Sequence, residues 1–120
     1  MSKYFMKSSW GSDDATRAAM VLGHSNALAR AGHEVRIFLL GEATVLVRAV
    51  VRAALQPMGW PSLAAQWDEC RARGIEIIIC DACRIARGVT PEDIAAAGGR
   101  IGGPDDLVAG FEWADKVIAE

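Results

Sequence analysis

Apolar and polar positions recur along this chain at two periods. Short apolar runs rich in β-branched residues alternate with longer stretches whose apolar residues fall every three or four positions. That is a pattern of strands and helices in turn. Lys3–Ser8 reads as a first strand. A turn over 9–14 ends in residues that can cap a helix. Ala18, Val21, Leu22, Ser25, Leu28 and Ala29 then share one face of a helix over about 15–30, and Gly32 stands just past its end, where a C-terminal cap belongs. Residues 33–40 alternate at first and become continuously apolar, which predicts a second strand. A strand-helix-strand unit makes its two strands parallel.

A second helix is predicted over about 43–55, apolar nearly all round but for Arg48 and Arg52. The 56–61 segment, Gln-Pro-Met-Gly-Trp-Pro, reads as a loop. Ser62 caps a third helix over 63–73, which Gly74 stops. Ile75-Glu76-Ile77-Ile78-Ile79 predicts a third strand, buried and ending at Cys80. The residues after it read as the first turn of a short helix that ends at Arg87 and Gly88. Thr90, Pro91 and Asp93 form a start signal, with a cap, a first-turn proline and an acid that can reach back. That helix ends at Gly98 and Gly99. A weak strand over 100–102, a helix from Pro104 to about Ala114 and a closing strand over 116–119 complete the order. The alternation predicts a mostly parallel five-stranded sheet with helices on both faces, an αβα sandwich. No internal repeat or linker interrupts it, so residues 1–120 read as one domain.

At 120 residues the chain is long enough for a core of its own. Its 52% hydrophobic share is high for that size and implies that another subunit covers some apolar surface. A net charge of −2 argues against a nucleic-acid binder held by phosphate contacts. No run of about 18 uncharged apolar residues predicts a membrane span. Lys3 and Lys7 enclose only three apolar residues, which makes no signal peptide. A cytoplasmic location is therefore expected. Three cysteines do not make a disulfide framework, and a reducing compartment would leave them free, catalytic or metal-bound.

The chemistry centres on Cys80 and Cys83, two thiols at i and i+3 where a strand hands over to a helix. Parallel α/β proteins place ligands at the carboxyl ends of strands. Unpaired amides and the positive end of the helix dipole favour an anion such as a thiolate there. Arg84 and Arg87 are expected to add to this, and Asp81 to oppose it. The alternative is a buried thiol ending a core strand. Cys83 either resolves a sulfur adduct on Cys80 or packs in its helix. A zinc site is a further alternative, but only half of one is visible, and His24 and His33 have no partner at metal spacing. Cys70, three residues from Trp67, reads as core. His24 reads as a core or interface histidine. Arg48 and Arg52 form either a guide for an anion or the solvated stripe of their helix. Ser9, Trp10 and Gly11 follow the first strand and could cradle an anion or wall the cysteine pocket. Neither a Walker lysine nor Gly-x-Gly-x-x-Gly is present, so nucleotide binding is not indicated. Trp60, Met58 and Pro57 are candidates for a subunit contact.

Several pieces in this order resemble one family. They are Phe5-Met6-Lys7-Ser8-Ser9 with Asp13-Asp14, Ala31-Gly32-His33-Glu34-Val35 leading into Ile37-Phe38-Leu39, and Arg73-Gly74-Ile75-Glu76-Ile77. The last runs from Cys80-Asp81-Ala82-Cys83-Arg84 through Ile85-Ala86-Arg87-Gly88-Val89. The chain resembles the DsrE/DsrF-like family of sulfur-relay proteins, the TusD and YchN type, over nearly its whole length. The resemblance implies a flavodoxin-like sandwich assembled as a homotrimer or homohexamer. It also implies persulfide sulfur carried at Cys80, passed between donor and acceptor proteins without a cofactor. Cys83 departs from the pattern, since family carriers do not all have a second thiol there. Two other readings stay open: a non-catalytic oligomeric module that binds a small anion or protein tail, and a dithiol oxidoreductase using Cys80 and Cys83. Asp81 and Ala82 between the cysteines, and the lack of a proline-flanked strand, speak against the last.

Overall fold

The computed structural model describes all 120 residues. Its strands are β1 (Lys3–Ser8), β2 (Glu34–Leu39), β3 (Glu76–Cys80), β4 (Arg100–Gly102) and β5 (Lys116–Ala119). All pairings are parallel, in the order β4-β3-β2-β1-β5. The helices are α1 (Ala15–Arg30), α2 (Ala49–Ala54), α3 (Leu63–Ala72), α4 (Asp81–Ala86), α5 (Pro91–Ala96) and α6 (Pro104–Trp113).

The strand order decides the layering. From β1 to β4 the chain steps three times in one direction, and right-handed crossovers put the intervening helices on one face. The return from β4 to β5 crosses the whole sheet and puts α6 on the other. The two cores follow. Met6, Ile37, Leu39, Ile77 and Ile79 pack with α1, α3 and Ile94 of α5. On the opposite face Phe5, Phe38 and Ile78 pack with Leu40, Cys80, Leu107 and Ala114. The second layer is thin, because α6 alone covers it.

Local chemistry sets most element ends as expected. Asp14 caps α1 by accepting from the Arg17 amide, 3.0 Å away. Gly32 follows its end at φ +93°, a conformation that costs a glycine little. Ser62 caps α3 through the Ala65 amide, and Thr90 with Asp93 closes the capping box of α5. The predicted helix over 43–55 is a correction. Gly41–Val47 is a 3-10 helix, Arg48 is extended (φ −82°, ψ 124°), and only Ala49–Ala54 is α-helical. Thr44, Val45 and Val47 are stiff, poor helix formers. Residues Ala43 to Val47 are all buried, and tertiary packing sets their path. Arg48 and Arg52 therefore do not share one helix face. Arg48 turns to the Gly88 carbonyl and Asp93. Arg52 donates to the Leu46 carbonyl at 2.7 Å and lies 4.8 Å from the Trp67 ring.

Gly110 sets the distance between α6 and the sheet, since a Cβ there would overlap the ring of fully buried Phe5. An exposed helical glycine gains roughly 1 kcal/mol on mutation to alanine. Overlap in a packed core costs about 1–3 kcal/mol and should win here. Gly110→Ala is expected to lower the denaturant midpoint, and an unchanged or raised midpoint would show that α6 has slack.

Candidate functional site

β3 delivers Cys80. Strand alternation sends Ile77 and Ile79 into the larger core and Ile78 and Cys80 toward the α6 side, where Cys80 packs against the Phe5, Phe38 and Ile78 cluster. Cys80 pairs in register with Gly102 of β4. It is also the residue before α4, at φ −58° and ψ 123°, so no loop separates strand from helix. Cys83 is the third residue of α4. A residue before a helix and the third residue within it face each other across the first turn, as the side chains of a capping box do. Cys80 and Cys83 are both free and half-buried.

The expected acidic thiol is not what this geometry produces. Burial first, and the neighbouring Cys83 sulfur second, push the Cys80 pKa above its ordinary value. The amides of Cys83 and Ala82 pull the other way without closing a capping hydrogen bond. The two guanidinium groups expected to help are engaged elsewhere. Arg84 is tied to Asp81 at 2.9 Å and to the Val89 carbonyl at 3.3 Å. Arg87 binds Glu42 at 2.8 Å and the Cys83 carbonyl at 3.1 Å. Asp81 is thereby neutralised as well.

Glu42 is the residue that sequence reading missed. It sits just past β2 and accepts from both Ser12 and Arg87. Hydrogen bonds from Ser12 and then Arg87 hold its carboxyl below the usual range. Gly11 presses on its backbone so closely that a Cβ would collide with the Glu42 carbonyl. The only sequence signal was an acid just past a strand at the same sheet edge as Cys80. The loop after β1 thus reaches α4 through Glu42, and no side-chain hydrogen bond joins Ser9, Trp10 or Gly11 to either cysteine. Two of its amides are already engaged: Trp10 donates to Ser8 Oγ at 3.4 Å and Gly11 to Asp13 at 2.9 Å. The Trp10 ring instead lies 4.6 Å from the Arg17 guanidinium.

The remaining candidates separate from the site. Cys70 is fully buried, and burial pushes its pKa up to about 12. His24 is not a core histidine. It is half-exposed, contacts Glu120 at 2.5 Å and meets Trp60 edge-on. His33 accepts from the Ser2 amide at 3.0 Å. Met58 is exposed and Trp60 half-buried. A cavity of about 300 Å³ opens at the opposite edge of the sheet, among His33, Arg36, Gly74 and Trp113. Another, of about 440 Å³, lies between Arg48, Arg52 and Asp93. Neither is lined by a cysteine.

The model of the DsrE/DsrF-like family matches residues 2–119. Among solved structures, the ychN protein of E. coli superimposes with a TM-score of 0.80 over 100% of both chains, at 19% identity. A conserved protein of unknown function from Bacteroides thetaiotaomicron gives a TM-score of 0.73, covering 99% of this chain and 95% of its own, also at 19% identity. At that identity the likeness is one of fold. No curated protein sequence matches.

The two thiols make a pH-dependent expectation. A thiol with a raised pKa ionises later, so alkylation of Cys80 should keep rising with pH beyond the ordinary thiol range. Cys83→Ser removes one of the causes and should move the Cys80 profile to lower pH. Cys70 should stay unlabelled until the protein unfolds. Peptide-resolved mass spectrometry after iodoacetamide pulses reads all three, and coincident profiles in both proteins would refute the influence of Cys83.

Proposed function

The chain belongs to the DsrE/DsrF-like family, and from that premise we propose a cytoplasmic sulfur-relay protein in which Cys80 accepts and passes on persulfide sulfur. In the first step the Cys80 thiolate attacks the outer sulfur of a donor persulfide, and the donor thiolate leaves. In the second a partner thiolate attacks the outer sulfur now on Cys80, and Cys80 leaves as thiolate and takes up a proton. The observation that carries this reading is the half-buried thiol set at the last residue of an interior strand, with two helix amides turned toward it. Both amides can stabilise the negative sulfur that each step creates. No step draws on a cofactor.

The donor and acceptor are proteins, and the relay protein itself is a homotrimer or homohexamer. Apolar surface on the thinly covered side supports assembly, since Val108, Phe111 and Val117 are all exposed there. No helix is long and apolar enough to cross a membrane. The raised pKa of Cys80 favours a second reading, an oligomeric module whose cysteines are structural and which holds a small anion or a protein tail.

The two readings part on one measurement. After exposure to a persulfide donor, a relay protein gains about 32 Da, one sulfur atom, on the peptide carrying Cys80. Cys80→Ser is expected to lose that gain. Equal loading of the variant would remove Cys80 from the relay, and the absence of any loading in the native protein would favour the binding module.

A further inference from the structure

We propose that Cys83 discharges the sulfur held on Cys80: it attacks the inner sulfur of the Cys80 persulfide, closes a Cys80–Cys83 disulfide and expels the outer sulfur as hydrosulfide. This rests on the loading of Cys80 and gives the bound sulfur a second fate. The bond formed joins the two Sγ atoms. The bond broken is that between Cys80 Sγ and the outer sulfur, which leaves with the electron pair. The proton released by the Cys83 thiol ends on the hydrosulfide or in solvent. The outer sulfur is reduced to sulfide while the two cysteines are oxidised to a disulfide, so one discharge balances without an outside reagent. Reopening the disulfide is a separate reaction with a dithiol or small thiol reductant.

Position comes first. Cys80 precedes α4 and Cys83 is its third residue. Side chains three apart on a helical turn have Cβ atoms roughly 5–6 Å apart, and a disulfide needs them at about 3.5–4.5 Å, an approach of roughly 1–2 Å. The closing motion is therefore small. The Cys83 sulfur is close enough to be among the groups that raise the Cys80 pKa. Arg87 pins the attacking residue through the Cys83 carbonyl, and its guanidinium lies within electrostatic reach of the Cys83 sulfur.

Leaving-group chemistry then selects the sulfur. Attack on the outer atom would only move the sulfur from Cys80 to Cys83 and discharge nothing. Attack on the inner atom expels hydrosulfide, the conjugate base of a stronger acid than an alkyl thiol. For a nucleophile fixed beside Cys80, only the inner attack ends in a disulfide and free sulfide. A partner thiol must arrive before Cys83 reacts if the sulfur is to be relayed.

The test uses glutathione persulfide, whose by-product is a thiol and not sulfide. Native protein, Cys83→Ser, Cys83→Ala and Cys80→Ser are loaded, desalted and followed by non-reducing intact mass, peptide mapping and trapping of sulfide. The native chain should pass to a species about 2 Da lighter than the reduced protein, with a Cys80–Cys83 cross-linked peptide and one equivalent of sulfide. Both Cys83 variants should retain the gain of about 32 Da and release sulfide at least roughly tenfold more slowly. Equal retention and equal sulfide release in native and Cys83-variant proteins overturn the discharge while leaving the loading intact. If neither the native protein nor the Cys83 variants load at all, the relay reading fails and this inference falls with it.

Discussion

The parallel pairing of β3 between β2 and β4 is the constraint on which the rest depends. Its run of isoleucines is buried on both faces of the sheet, and burial of each such side chain is worth about 1.5–3 kcal/mol. A one-residue slip would exchange the faces of every side chain in it. Register therefore decides that Ile79 enters the larger core and Cys80 faces α6. Because α4 starts at the next residue, no flexible segment blurs the position of the sulfur. Strand and helix hold it jointly.

The electrostatics at that junction are a contest between small terms. The N-terminal end of a helix favours an anion by about 0.3–1 kcal/mol when exposed, less than one pKa unit, which is about 1.36 kcal/mol. Burial against the α6-side core and the nearby Cys83 sulfur act in the opposite direction and prevail. Free guanidinium charge would act on the side of the thiolate. Glu42 and Asp81 take it up: the Arg84–Asp81 pair lies within α4, and the Arg87–Glu42 pair ties the end of α4 to the segment after β2. The arrangement thus spends its cations on holding the helix and leaves the thiol protonated.

Much of this was legible in the residues. The order of strands and helices, the caps at Asp14, Ser62 and Thr90, and the placing of Cys80 at a strand end all follow from local pattern. The family resemblance drew on those same pieces, and the match over 2–119 agrees with it. The failures share one cause. The 3-10 helix at Gly41–Val47 is set by burial, which overrides the helical spacing of its apolar residues. The partners of Arg48 and Arg87 lie 45 residues away in sequence, at Asp93 and Glu42, and no local rule finds them. The core half of the core-or-interface reading of His24 fails as well, because its partner is Glu120 at the far end of the chain. Long-range polar contacts, more than elements, are what a single sequence conceals.

The close seat of Gly110 on Phe5 has a consequence for the sulfur. Leu107, one turn earlier in the same helix, belongs to the cluster that borders Cys80. A helix riding higher on its glycine would lift Leu107 off the Phe5, Phe38 and Ile78 cluster, and so loosen the footing on which Cys80 also rests. A position with no reactive atom thereby bears on how firmly that sulfur is seated.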